Sequence, residues 1–104
     1  LGSLSAYRIE GYPYGEARVL ANLGALCAQS KENIEAAQFF EEAAATAAKG
    51  GDFLFQARQL IYLARVQKKM NHIPVAKKTA ENAKRLANAL GWEEGRKQAE
   101  GIFG

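Results

Sequence analysis

Apolar residues return along this chain at helical rather than alternating intervals, in five successive stretches. From about Tyr14 to Gln29, Val19, Leu20, Leu23 and Cys27 follow the three-and-four spacing of one helix face, with Ala21, Ala25 and Ala28 beside them. A second run, about Glu32 to Lys49, is apolar at Ile34, Ala37, Phe40, Ala43, Ala44 and Ala47. The third, about Asp52 to Met70, carries Phe53, Leu54, Ala57, Leu60, Ile61, Leu63 and Ala64. A fourth spans about Ile73 to Leu90 with Val75, Ala76, Ala80, Ala83, Leu86, Ala87 and Leu90, and a fifth runs from Trp92 to Phe103. The breaks between them are short. Ser30-Lys31-Glu32-Asn33 offers Ser30 or Asn33 as a cap, and Gly50-Gly51 offers a stop before the capping Asp52. Asn71-His72-Ile73-Pro74 forms the next turn and Gly91 the last, with Pro13 and Pro74 suited to first-turn positions where no N–H is needed. Residues 1–10 read as the tail of a helix that Gly11 ends.

The runs repeat. Shifting Gly15–Gly24 by 40 residues places it on Phe55–Ala64, and a further 40 places it on Gly95–Gly104. The same shift superposes Ala36, Glu41 and Ala43 on Ala76, Glu81 and Ala83, and puts Gly11, Gly51 and Gly91 in one column. A fixed period of this length marks a repeat array, in which each unit buries its apolar face only against its neighbours. The expected organisation is one domain, 1–104. Residues 1–11 would end a preceding repeat, 12–51 and 52–91 would be two repeats, and 92–104 the first helix of a further repeat or a cap.

Composition supports helix: alanine supplies 20 of the 104 residues and proline only two. No stretch approaches the roughly 18 apolar residues of a membrane span, and no signal-peptide pattern opens the chain. The single cysteine, Cys27, has no internal disulfide partner, so a reducing, cytoplasmic setting is expected. The net charge of +3 is unevenly divided. Residues 1–52 hold 4 Lys/Arg against 7 Asp/Glu, and residues 53–104 hold 10 against 4. Such asymmetry steers acidic partners, favours head-to-tail stacking of copies, or solvates outer helix faces.

Two antiparallel helices per unit, joined by short turns, resemble the tetratricopeptide repeat. The first unit carries Leu20, Leu23-Gly24 and Cys27 on its first helix and Ala36, Phe40 and Ala43 on its second. Gly24, Ala36 and Ala43 are small where the helices would approach closely, with Leu20, Leu23 and Phe40 filling the space between them. The second unit keeps Leu60, Leu63, Ala76 and Ala83, and departs with Ala64, Gln67 and Ala80. The 40-residue unit, with Asn22-Leu23-Gly24 and a Gly-Gly-Asp hinge, looks most like the longer variety found in Leu-Gly-Asn-repeat scaffold proteins. The order of these residues argues against HEAT or armadillo arrays. The resemblance implies an all-α fold of antiparallel helix pairs stacked as a right-handed α-solenoid. It also implies a non-enzymatic scaffold or adaptor, needing no cofactor, that binds a peptide on the concave wall of first helices.

Counting helix faces, the solvent-facing positions on that wall are Arg18, Asn22, Ala25 and Gln29 in the first unit, and Arg58, Tyr62, Arg65 and Lys69 in the second. The stripe contains no acid. Arginine grips a carboxylate with two parallel hydrogen bonds, and Asn22 suits a peptide amide, so an acidic partner segment or a C-terminal carboxylate is expected. A solvated helix face is the competing reading. Two further function classes stand beside peptide binding. Arg58, Arg65, Lys68, Lys69, Lys77, Lys78, Lys84 and Arg85 suggest nucleic acid only if they converge on one face. Open terminal helices, with Ile102 and Phe103 at the C-terminal end, suggest self-assembly.

Other residues read as structural. Cys27 is a packing thiol rather than a nucleophile, and His72 alone makes no metal site. Trp92 packs the junction of the fourth and fifth helices. Tyr7, Tyr12 and Tyr14 cover the N-terminal edge. Glu41-Glu42 and Glu93-Glu94 diverge by about 100° on a helix and form no catalytic dyad. Gly50-Gly51 lacks the following lysine of a phosphate loop.

Overall fold

A computed structural model describes residues 13–104. The expectations for residues 1–12, and for the side chains of Tyr7, Tyr12 and Tyr14, fall outside the described residues. The described chain is all-helical: α1 Pro13–Gln29, α2 Asn33–Lys49, α3 Phe53–Lys69, α4 Ile73–Leu90 and α5 Glu93–Gly101. None of these helices is long and apolar enough to cross a membrane.

The helices begin at residues 13, 33, 53, 73 and 93, so the backbone repeats every 20 residues, half the period seen in the side chains. One turn, used four times, produces this spacing. Lys31, Gly51, Asn71 and Gly91 all adopt positive φ, between 63° and 77°. Each is followed by a residue whose N–H donates back five positions. Glu32 donates to the Cys27 carbonyl (2.8 Å), Asp52 to Ala47 (2.9 Å), His72 to Gln67 (2.9 Å) and Trp92 to Ala87 (2.8 Å). This left-handed closure satisfies the carbonyls that a helix end leaves open. The donor residue then starts the next helix, so the chain reverses with nothing to spare and consecutive helices must lie antiparallel. Asp52 alone among these four adds a side-chain cap, accepting from the Phe55 N–H at 3.1 Å. Neither Ser30 nor Asn33 takes the capping role expected of them: Glu32 holds the N-cap position and Asn33 is already helical, because the turn closes one residue earlier.

Each helix packs on the next, and α5 also reaches α3. The thin dimension of 18 Å corresponds to two helix layers at about 8–10 Å between axes. Three buried clusters hold the layers. Ala17, Ala47 and Phe55 join α1, α2 and the start of α3. Ala36 and Phe40 of α2 meet Leu63 and Val66 of α3. Ile61, Ala64, Ala80, Ala83, Ala99 and Ile102 join α3, α4 and α5. Gly24 earns its absence of side chain, since a Cβ there would lie 2.8 Å from the Phe40 ring. Burying a phenylalanine this fully contributes about 1.5–3 kcal/mol.

Leu23 departs from expectation. It is exposed on the α1 face whose counterpart in α3, Leu63, packs against α2. Leu20, one turn earlier on α1, is buried. Ile34, Phe53, Leu54, Val75 and Leu90 sit on the expected apolar runs yet are also exposed, all in the first or last turn of a helix.

Candidate functional site

The turns place α1 and α3 as parallel neighbours, with the α2 ring Phe40 beneath them, and a groove of about 470 Å³ opens between them. Every candidate from the two basic stripes borders it: Arg18, Asn22, Ala25 and Gln29 from α1, and Arg58, Tyr62, Arg65 and Lys69 from α3. No aspartate or glutamate among the described residues lines the groove. Its floor is made mainly by the apolar Phe40, Phe55 and Val66, all buried, with the buried Gln59 among them. The floor and walls thus have different chemistries: apolar surface below, cations and amides at the rim.

Aromatic rings hold two of the guanidinium groups. Tyr62 leans on Phe40 with ring centroids 5.5 Å apart at 45°, and the Arg65 guanidinium carbon lies 6.0 Å from the Tyr62 centroid. That of Arg58 lies 5.7 Å from the Trp92 ring. Cation–π contacts of this kind are worth about 0.5–1 kcal/mol at exposed sites, enough to bias a rotamer without sequestering the charge. Trp92 is not a groove residue. It packs the α4–α5 junction as expected, lying over Gly95 and against the α3–α5 core, and from there it steadies Arg58.

A second concavity of about 660 Å³ shares Arg65 and Lys69 with the groove and continues past Lys68 to Gln98 of α5 and to Ile102 just after it. The eight cations singled out from the ten of the basic half nevertheless divide. Arg58, Arg65 and Lys69 face the groove, while Lys68 donates to the Ile102 carbonyl and, with Lys77, flanks the Phe103 ring. Lys84 pairs with Glu100 at 3.5 Å.

Cys27 is half-buried against the Ala36–Phe40 cluster. Its thiol is pushed above the ordinary range by desolvation, then by Glu32 and Glu35, so it stays protonated and packs. His72 is exposed at the N-cap of α4. No group of three His, Cys, Asp or Glu among the described residues is disposed to hold a metal ion.

The groove residues that a count of solvent-facing positions misses are Ala21, Ala28, Phe40, Phe55, Gln59 and Val66, and Gln59 is the polar one. Gln59 is 1% exposed, and its Oε1 meets no donor among the described residues. A signal for it does exist in the sequence. Positions 19, 59 and 99 form one column of the repeat, occupied by Val19, Gln59 and Ala99, so the amide is the polar exception in an apolar series.

No protein-family model, no curated protein and no solved structure matches this chain.

Proposed function

We propose that this chain is a non-enzymatic protein-interaction module of the tetratricopeptide type, its helix pairs stacked as a right-handed superhelix, and that the groove between α1 and α3 takes an acidic peptide segment of a partner. The observation that carries the reading is the lining itself: Arg18, Arg58, Arg65 and Lys69 share one groove with Asn22 and Gln29, and no carboxylate of the described residues is part of that lining. Its volume falls within the range of about 300–1,000 Å³ usual for ligand clefts. Apolar floor and basic rim together favour a segment with carboxylates flanking an apolar residue. The splitting of the eight cations over several faces favours this reading over nucleic acid, which needs them on one track. A lone packing thiol fits a scaffold or adaptor of a reducing compartment.

Fluorescence polarisation tests the proposal with a fluorescein-labelled decapeptide of Ser and Gly around a central Glu-Leu-Glu, and its Gln-Leu-Gln twin. The acidic peptide binds the wild type, weakens with added salt, and loses at least about tenfold in affinity to the Arg58→Glu/Arg65→Glu variant. Equal binding of the two peptides, or an unaffected variant, would end the reading.

A further inference from the structure

The buried Gln59 side chain at the groove floor leaves its carbonyl oxygen without a donor among the described residues. An unpaired buried acceptor costs a folded chain more than an apolar side chain of the same shape. The neighbouring repeats hold valine and alanine in the same column, so the fold has no structural need for an amide there. Gln67 Oε1 is likewise buried and unpaired, but Gln67 does not line the groove. Gln59 and Gln67, both on α3, therefore separate what burial does from what the groove does.

We infer that Gln59 reads the main chain of the bound peptide, its Oε1 accepting a hydrogen bond from a backbone N–H of an extended acidic segment. This rests on the peptide-binding reading above. The chemistry of the rim selects the donor: four cations surround the groove and repel a ligand ammonium, whereas a backbone N–H is neutral. The Gln59 contact then sets depth and register, while the rim cations choose carboxylates on either side. Such a bond carries no information about side-chain identity. Peptide sequence is read at the rim, and peptide-ness at the floor.

The experiment uses the same Glu-Leu-Glu decapeptide and versions N-methylated at one position at a time, against wild type, Gln59→Met and Gln67→Met. In the wild type one N-methylation near the central leucine weakens binding about five- to tenfold, the size of one hydrogen bond. Gln59→Met weakens the parent peptide by a similar factor, and that N-methylation then costs nothing further. Removing the unpaired acceptor also raises the Tm of the free Gln59→Met protein, so affinity and stability move in opposite directions. Gln67→Met raises Tm and leaves affinity alone. If wild type binds but all N-methyl positions behave alike, or the same position still costs fivefold in Gln59→Met, the inference fails and the acidic-groove reading stands. If the acidic peptide does not bind wild type at all, both fail together.

Discussion

The two junctions between odd-numbered helices begin with the same turns and end differently. Between α1 and α3 a groove stays open over Phe40 and Phe55. Between α3 and α5 the helices touch, and Ile61, Ala99 and Ile102 form a shared core. The 40-residue columns show why. Ala80 stands where Phe40 stands one repeat earlier, and Gly95 stands where Phe55 does. Two rings at the first junction become a methyl and a hydrogen at the second, so α5 settles against α3. Trp92 takes up part of the vacated space by lying over Gly95. Repeated backbone orders the helices; side-chain volume at two columns decides where a groove can exist.

The most disruptive way to break this contrast is to remove the first wedge. Phe40→Ala should destabilise the protein by about 3–5 kcal/mol, because the ring is 4% exposed and contacts both Gly24 and Tyr62. Urea unfolding measures it. A loss below about 1 kcal/mol would mean that Phe40 does not hold α1 and α3 apart.

A smaller effect tests the closed junction. A Cβ at Gly95 would lie 2.1 Å from the Trp92 ring, so Gly95→Ala must displace the indole and should cost about 1–3 kcal/mol. Hydrogen exchange should quicken in α5 and the α4–α5 turn while α1 and α2 keep their protection. Uniform loosening would show that the second junction is not an independent unit.

The smallest effect is electrostatic and sharpens where α5 is anchored. Arg96 binds Glu93 and also Glu100, the latter at 2.9 Å. The hydrogen bond and charge of Arg96 hold the Glu93 carboxyl below its ordinary range. A carboxylate depressed in the folded state contributes stability above the unfolded pKa and loses it as pH falls through the folded one. Helicity of α5 should therefore decline on acidification through and below about pH 4, and Glu93→Gln should flatten that decline. Glu93 is exposed and Arg96 partly so, and 1 M salt should therefore weaken the effect. An unchanged acid profile in Glu93→Gln would remove this pair from the account of α5.

Helix positions were legible because their causes are local. Apolar spacing, Gly51 and Gly91, and the capping Asp52 all act within a few residues, and the observed boundaries follow the expected ones closely. The turn at Lys31 shows the limit: its positive φ of 63° needs no glycine once the closing hydrogen bonds form, so the 20-residue period was hidden behind unlike residues. The basic stripe was legible too, because Arg18, Asn22, Arg58 and Arg65 follow from helix geometry alone.

What the chain by itself determined, then, was the order of helices and which side chains each would turn outward, since both depend on neighbours within a turn or two. Tertiary structure decided how far apart those helices stand. Leu23 and Leu63 occupy one column, yet Leu63 meets α2 and Leu23 lies exposed. Gln59 shares a helix with exposed Arg58 and is buried at the floor of a groove, its Oε1 without a donor among the described residues. Those fates depend on contacts 20 or more residues away, made by side-chain volumes that no local pattern encodes.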